Sequence, residues 1–255
     1  MSGESAVLVL RLAGPLQSWG SGSEFNRRDT RTQPTKSGVI GLLAAAQGRD
    51  RRDDITDLLD LELGIRVDQP GSVLRDYHTV SDYRGRPLPS AAVNAKGTQK
   101  TTSPAKYTHV TQRFYVQDAV FVVAVHGPRP TLDTLSDAVR NPAFPLALGR
   151  RSCVPTGRIV IDVRTGGLEQ ALREVPWQAT EHAKLRFTRS STIDLPITLD
   201  TRDGEDTELD VPTSFDPLKK TFTSRQVRHG WVTVATGIDA PDTPGGHDPF
   251  ALLEW

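Results

Sequence analysis

The chain has 255 residues, zero formal net charge at pH 7 and one cysteine, Cys153. This length allows one large domain or two small ones, and a single cysteine excludes an internal disulfide and argues against a cysteine-based metal site. Charge is segregated along the chain: residues 1–52 and 73–115 are basic, whereas 53–68 and 200–216 are acidic. Such segregation allows a basic binding face on a neutral protein, unless the blocks interleave in space and cancel.

The start of the sequence, MSGESAVLVLRLAG, has an acid before a short apolar run and Arg11 inside it, unlike a signal peptide. No stretch is long and apolar enough to predict a membrane helix. With one cysteine, these features predict a cytoplasmic protein with no membrane partner. No motif predicts a cofactor.

The first predicted elements are a buried strand at 6–12, ended by Gly14 and Pro15, and a polar basic loop. A helix is predicted from about Lys36 to Gln47, with Pro34 and Thr35 at its entry. A short helix at 55–61 and a strand at 63–68 follow. The small residues of SGVIGLLAAA predict that the first helix packs closely against its neighbours.

Residues 75–106 are rich in Pro, Gly, Ser, Thr and Lys, and the segment is too long for an ordinary loop. Strand-like flanks on both sides predict a long hairpin with a flexible tip. A core strand at 117–125 and an amphipathic helix starting at a Thr131 cap come next. The segment 144–155 is predicted as strand and loop.

The order strand–helix–strand, repeated, predicts an α+β, ferredoxin-like (RRM-like) βαββαβ domain over residues 1–150, with the hairpin inserted at about 80–110. Residues 151–255 are predicted to form a smaller strand-rich domain and an irregular tail. Its expected strands lie at 157–163, 184–190 and 228–235, with one short helix near 168–174. The acidic segment DTRDGEDTELD (200–210) is predicted as an exposed loop.

The segment RRDTRTQPTKS (27–37) resembles an anion-binding loop at a helix N-terminus. Thr35, Lys36 and Ser37 are placed to add donors, and Arg27, Arg28 and Arg31 to bind phosphate or stack on bases. The glycine spacing of a P-loop is absent, which disfavours nucleotide hydrolysis. Nearby Trp19 is either a core residue or a stacking platform.

Two strand-like segments carry further candidate residues, which the predicted hairpin brings together. The first holds Arg75, Tyr77 and His78, and the second holds Thr111, Gln112 and Arg113. Such groups can stack on unpaired bases or serve in acid–base cleavage of RNA; otherwise they are the polar side of a ribbon. The segment LGRRSC (148–153) adds four candidate residues: Gly149, Arg150, Arg151 and Ser152. Because neighbours on an extended segment point to opposite sides, only one of the two arginines can face a ligand directly.

The segments LRLAGPLQSWG, PTKSGVIGLLAAA, LRDYHTV, QDAVFVVAV, LGRRSC and KLRFT occur here in an order that resembles the Cas-five family. These are subunits of the type I-E CRISPR effector complex, Cascade. The resemblance covers about 7–189 and implies a ferredoxin-like domain, a β-hairpin thumb and a small C-terminal part. It also implies binding of the CRISPR RNA 5′ handle, contacts with the Cas-seven backbone and the large Cascade subunit, and an indirect relation to target DNA.

The resemblance places RNA contacts around 17–36, 75–79, 111–113 and 149–152, which adds Gln17 to the candidates. It favours a non-catalytic scaffold, because a separate subunit cuts the RNA in type I-E systems. The alternative is a metal-independent endoribonuclease that processes the repeat RNA. Its possible acid–base groups are Tyr77, His78, Lys106, His109 and Tyr115.

Overall fold

The structure is a computed structural model and describes residues 4–20, 26–82, 95, 107–186, 190–216 and 221–237. The described residues form one mixed α/β fold in which most strands are antiparallel. The strands are β1 (Ser5–Gln17), β2 (Arg27–Arg28), β3 (Glu62–Gln69), β4 (Ser72–Asp82), β5 (Tyr107–Pro128), β6 (Val160–Arg164), β7 (Thr192–Asp200), β8 (Asp206–Ser214) and β9 (Thr221–Ala235). The helices are α1 (Lys36–Ala46), α2 (Thr56–Leu59), α3 (Arg129–Arg140), α4 (Leu168–Glu174) and α5 (Glu181–Arg186).

The strands join in a single sheet with the order β6-β1-β5-β3-β7-β9-β8. The long strand β5 is its centre: it pairs with β1 and β3 over its second half and with β4 and β2 over its first half. The N-terminal and C-terminal parts of the chain therefore share one sheet, because β7 pairs with β3. This continuity fixes the C-terminal strands beside the basic loop.

Two apolar clusters cover the two faces of the sheet. Helices α1 and α3 pack on one face, over β1, β3 and β5. Helix α4 packs on the other face, against alternate residues of the same strands and of β7 and β9. The alternation explains why buried residues fill both sides of β1 and of the second half of β5.

The prediction for the first helix is confirmed, including its close packing. Gly38 faces the ring of Trp19, and a Cβ at position 38 would lie 2.7 Å from Trp19 Cε3. Even the smallest side chain would force these two elements apart. The helix at 168–174 and the long hairpin strands are also confirmed, with His78 opposite Thr111.

Several predictions for individual segments are wrong. The segment 184–190, predicted as a strand, contributes to helix α5 up to Arg186, and 187–189 lie outside the described residues. The acidic segment 200–210 is an exposed loop only at 201–205, because Asp200 ends β7, residues 206–210 belong to β8, and the side chains of Asp200 and Asp210 are buried. Helix α3 begins at Arg129 after a Pro128 cap, so Thr131 lies inside it.

The prediction of a strand within 144–155 is wrong: these residues are described and form turns. The predicted hairpin tip and the predicted irregular tail both fall outside the described residues. No helix in the described ranges combines the length and apolar character needed to cross a membrane.

Candidate nucleic-acid interface

The candidate interface is a three-stranded ribbon where β2 and β4 flank the first half of β5. Arg27 lies opposite Gln112, which lies opposite Tyr77. Arg28 lies opposite Arg113, which lies opposite Asp76. Because neighbouring residues on a strand point to opposite faces, the two rows occupy different faces of the ribbon. Each face therefore carries at least one arginine.

The face that carries Arg27 also carries aromatic side chains. The Arg27 guanidinium lies 5.1 Å from the centroid of the Phe114 ring and 2.9 Å from Asp29 Oδ1. Tyr77 is 64% exposed, and the neighbouring Arg75 is exposed on the same face. This arrangement offers guanidinium groups for phosphates and a free ring face for a base.

The opposite face is organised by Arg150, which comes from the turn after α3. Its Nη1 donates to the Phe114 carbonyl at 2.9 Å and its Nη2 to the Arg28 carbonyl at 2.7 Å. Its guanidinium also lies 4.8 Å from the centroid of the Tyr115 ring. Arg150 thus joins β2 to β5 and positions the ribbon, whereas the adjacent Arg151 and Ser152 are exposed.

Gly149 allows this turn to approach β1. Its φ of +90° lies in the left-handed region, and a Cβ there would lie only 1.8 Å from the Ser18 carbonyl oxygen. The Ser18 amide in turn donates to the Leu148 carbonyl at 3.0 Å. The same turn buries Cys153, and burial raises the pKa of its thiol.

Replacing Gly149 with alanine is expected to lower the free energy of unfolding by at least about 2 kcal/mol, because the new methyl group must displace backbone. Gly157→Ala is the matched control. Gly157 also has a positive φ, +76°, but a Cβ there meets only Arg11 Nη1, at 3.9 Å. Urea unfolding measures both. Equal losses for the two variants would show that the approach to Ser18 contributes nothing.

Trp19 and Gln17 lie beneath this interface and not on it. Both side chains are fully buried, and Trp19 Nε1 donates to Gln17 Oε1 at 3.2 Å. Gln17 Nε2 donates to the Ala119 carbonyl at 2.8 Å. The prediction that Gln17 and Trp19 contact RNA is therefore wrong, because both are core residues. The backbone of Trp19 holds the basic loop: its amide donates to Thr30 Oγ1, and its carbonyl accepts from the Arg31 amide.

The N-terminus of α1 is engaged within the protein, contrary to the prediction of a free phosphate site. The Lys36 amide donates to Asp210 Oδ2 at 2.7 Å, and Lys36 Nζ donates to Asp200 Oδ2 at 3.0 Å. The Lys36 side chain is only 8% exposed. A carboxylate of the protein therefore occupies the place where a phosphate would bind.

The two neighbours of Lys36 are also occupied by local bonds. Thr35 is buried and caps the helix by accepting from the Gly38 amide at 3.2 Å. The hydroxyl groups of Thr35 and Ser37 lie 3.2 Å apart. These three residues position the loop and are not part of the exposed interface.

Acidic side chains of the segment 200–210 neutralise part of the positive charge of the first basic block, residues 1–52. Arg31 Nη2 lies 3.3 Å from Glu208 Oε2 on β8. Together with the Lys36–Asp200 pair, this contact shows that the predicted cancellation holds at the C-terminal end of the basic loop. At its other end, Arg27 and Arg28 are exposed beside β5.

Of the groups proposed for acid–base cleavage, the three whose side chains are described, Tyr77, His78 and Tyr115, do not converge. Tyr77 and His78 are neighbours on β4 and point to opposite faces. His78 Nδ1 lies 3.5 Å from Asp76 Oδ2, and buried Thr111 donates to the His78 carbonyl at 3.3 Å. Tyr115 is buried beneath Arg150. The side chains of Lys106 and His109 lie outside the described set.

Sequence reasoning missed the aromatic partner of Arg27 and the acidic partners of Lys36. Phe114 has a detectable signal, since it lies two residues beyond Gln112 on a predicted strand and so shares its face. Asp200 and Asp210 lie more than 160 residues from Lys36 and give no local signal.

Comparison with known proteins identifies the family. A family model described as "CRISPR-associated protein (Cas_Cas5)" matches residues 7–228. The curated relative "CRISPR system Cascade subunit CasD" from Escherichia coli (strain K12) is 36% identical over 167 residues, which are 58% of this chain and 66% of the relative. The chain thus aligns with just under two thirds of that relative's length.

Two solved structures are also similar. A chain of a "CRISPR RNA-guided surveillance complex" has a TM-score of 0.69 and 36% identity, over 90% of this chain and 91% of that chain. A "Crystal structure of Cas protein" has a TM-score of 0.63 and 34% identity, over 89% and 94% of the two chains.

The fold and these matches define a CRISPR-associated protein built on a mixed α/β, mostly antiparallel sheet. Within that class, the chain belongs to the Cas5 family, written Cas-five above.

Proposed function

We propose that this chain is a non-catalytic RNA-binding subunit of a CRISPR surveillance complex, and that it holds the 5′ handle of the CRISPR RNA. It caps the filament of Cas-seven backbone subunits, contacts the large Cascade subunit, and relates to target DNA only through the complex. Its place of action is the cytoplasm. The observation that carries the proposal is the ribbon of β2, β5 and β4, which presents arginines and an exposed tyrosine.

The topology supports the domain assignment within this proposal. Strands β6, β1, β5 and β3 are adjacent and antiparallel, and α1 and α3 follow β1 and β5 in the chain. That is the order of a ferredoxin-like domain, and because its fourth strand is β6 the domain extends to Arg164, past the predicted boundary at residue 150. The paired strands β4 and β5 extend from this sheet as the base of a thumb at about 80–110, and the described residues after Arg164 belong to the second domain.

The proposed RNA-contacting set is narrower than the sequence predicts. It keeps the exposed or half-buried polar residues of the ribbon and of the adjoining turn: Arg27, Arg28, Arg75, Tyr77, His78, Gln112, Arg113, Arg151 and Ser152. Arg31 lies at the edge of this set, because its guanidinium also forms an ion pair with Glu208. Buried Thr111, the α1 N-terminus, Gly149 and Arg150 support this set from below.

The chemistry of the set suits an unpaired RNA strand. Guanidinium groups on both faces of the ribbon can neutralise successive phosphates, and Tyr77 can stack on a base without requiring a particular sequence. Neutral overall charge is compatible with this function, because phosphate contacts act locally and are screened within about 10 Å at 0.1 M salt. The separation of Tyr77 from His78 favours holding the RNA over cleaving it.

We expect the triple variant Arg27→Ala, Arg113→Ala, Arg151→Ala to bind handle RNA at least about tenfold more weakly at 0.1 M salt. The slope of log Kd against log salt should fall by about 2, since each lost phosphate contact on a single strand contributes about 0.7. Filter binding of the full chain to a repeat-derived 5′ handle RNA over a KCl series measures both quantities.

The matched control removes three arginines at the other end of α1: Arg51, Arg52 and Arg140. All are exposed, and the net charge falls by the same amount. This control should keep the affinity and the salt slope of the unmodified chain. If both triple variants weaken binding equally, the ribbon is not a site and the protein binds RNA only through net charge. RNA cut specifically in EDTA would contradict the non-catalytic part of the proposal.

A further inference from the structure

A cavity of about 410 Å³ opens beside the C-terminal end of the basic loop. Its volume falls in the range of about 300–1,000 Å³ that is usual for small-molecule sites. The walls come from the loop, from β3, from β7 and from β9: Thr32, Gln33, Val67, Pro196, Ile197, Thr198, His229, Gly230 and Trp231.

The wall on β9 holds the large exposed side chain of Trp231, which is 69% exposed. Trp231 lies opposite Pro196 in the β7–β9 pair, so its backbone is held in the sheet. A tryptophan is costly to leave in water, because it is the largest apolar side chain. An exposed indole on a fixed strand, at the mouth of a cavity, is suited to stack on a flat ligand.

Polar side chains line the same cavity. Thr198 Oγ1 lies 3.0 Å from His229 Nδ1 and donates to Gln33 Oε1 at 3.4 Å. Amide, hydroxyl and imidazole groups can both donate and accept hydrogen bonds, as the edge of a nucleobase requires. The cavity thus combines an aromatic platform with side chains able to read a base edge.

The position of the cavity favours an RNA ligand over a protein segment. Thr32 and Gln33 directly follow Arg31, so the cavity wall continues the basic loop that begins at Arg27. Arg31 itself bridges from this loop to Glu208 on β8. A strand whose phosphates lie along the ribbon can therefore reach the cavity within a few nucleotides.

We propose that this cavity holds one unpaired nucleobase of the bound RNA, stacked on Trp231, with Gln33 and His229 facing its edge and buried Thr198 holding these two side chains in place. The inference rests on the proposed function and adds a base site to the phosphate-binding ribbon. It makes Trp231 a base-stacking residue that sequence analysis did not single out.

The test compares the full chain with its Trp231→Ala and Trp231→Phe variants. The probe is a fluorescein-labelled handle RNA, and a second probe has the same length and phosphates but abasic sites throughout. Trp231→Ala should bind the intact RNA about tenfold more weakly, because one stacked base contributes roughly that factor or more. Trp231→Phe should retain most of the affinity, and the abasic probe should bind all three proteins equally.

Phe144→Ala is the control, since Phe144 is an exposed aromatic residue away from the cavity; it should behave like the unmodified chain. If the unmodified chain binds the handle RNA and Trp231→Ala binds it equally well, the base site is wrong while the RNA-binding function stands. If that variant keeps its RNA affinity but no longer retains the other Cascade subunits, the cavity is a protein contact and the proposal is overturned. No binding of handle RNA by the unmodified chain would overturn both.

Discussion

Replacing Arg66 with alanine is expected to lower the free energy of unfolding by about 3–5 kcal/mol, because it leaves a buried carboxylate unpaired. Arg66 is fully buried and forms a bidentate ion pair with Asp68, in which Nε lies 2.7 Å from Oδ1 and Nη2 lies 2.8 Å from Oδ2. It also donates to the carbonyls of Leu172, Val175 and Pro176. The Arg66 guanidinium therefore neutralises the Asp68 carboxylate on β3 and donates hydrogen bonds to the backbone carbonyls at the end of α4.

The loss should depend on pH. Burial raises the pKa of the Asp68 carboxyl, and the hydrogen bonds from Arg66 oppose that rise. Without Arg66 the folded-state pKa rises further above the unfolded one. Since the folded variant then takes up a proton more readily, its stability increases as pH falls through that interval. The deficit against the unmodified chain should therefore be smaller at pH 5 than at pH 8.

Arg164→Ala is the matched control for Arg66→Ala, measured by urea unfolding. Arg164 pairs with Asp162 two residues away on β6, as Arg66 does with Asp68, but this pair is partly exposed. Its loss should cost less than about 1 kcal/mol. A similar cost for both variants would show that burial of the Arg66 pair has no energetic consequence.

Replacing Arg225 with alanine is expected to be comparably destabilising, by about 3–5 kcal/mol. Arg225 donates to Asp210 at 2.6 and 3.0 Å and also to Asp200. Both carboxylates are buried. Among the ion pairs of the described residues, Asp200 then keeps Lys36 as its cationic partner, whereas Asp210 keeps none. Since Asp210 also holds the Lys36 amide, the variant should loosen the start of α1.

This second variant should also weaken RNA binding several-fold without removing an RNA contact, because the loop before α1 loses its anchor. Arg228→Ala is the control: it lies three residues away on β9 and forms a pair with Glu169 at the surface. We expect it to cost less than about 1 kcal/mol and to keep the RNA affinity. Urea unfolding and filter binding on the same preparations separate the two effects, and full stability in Arg225→Ala would contradict the role assigned to this network.

Features that depend on local sequence could be predicted. The small residues around Gly38, the apolar spacing of α3 and the strand-like flanks of the hairpin predict elements that the structure contains, although α3 starts earlier than predicted. The pairing of β4 with β5 followed from two strand-like flanks, so Tyr77 and Gln112 were predicted to lie together. These patterns express periodicity, which a sequence displays directly.

Features that depend on distant partners could not be predicted. Lys36 has the appearance of a phosphate ligand in sequence, but Asp200 and Asp210 neutralise it across the sheet. The sequence predicts Arg150 as a candidate RNA contact, but its guanidinium is bonded to backbone carbonyls of β2 and β5. In both cases the partners are distant in the sequence and come together only in the tertiary fold, so no local pattern predicts them.

The central claim is that the ribbon of β2, β5 and β4 holds the 5′ end of the CRISPR RNA. Ultraviolet crosslinking of the assembled complex, followed by mass spectrometry of RNA-linked peptides from this chain, tests it most directly. We expect crosslinks in the peptides that contain Arg27, Tyr77 and Gln112, each carrying nucleotides from the 5′ end. Crosslinks confined to α3, α4 or α5, or none on this chain in a complex that retains its RNA, would contradict it.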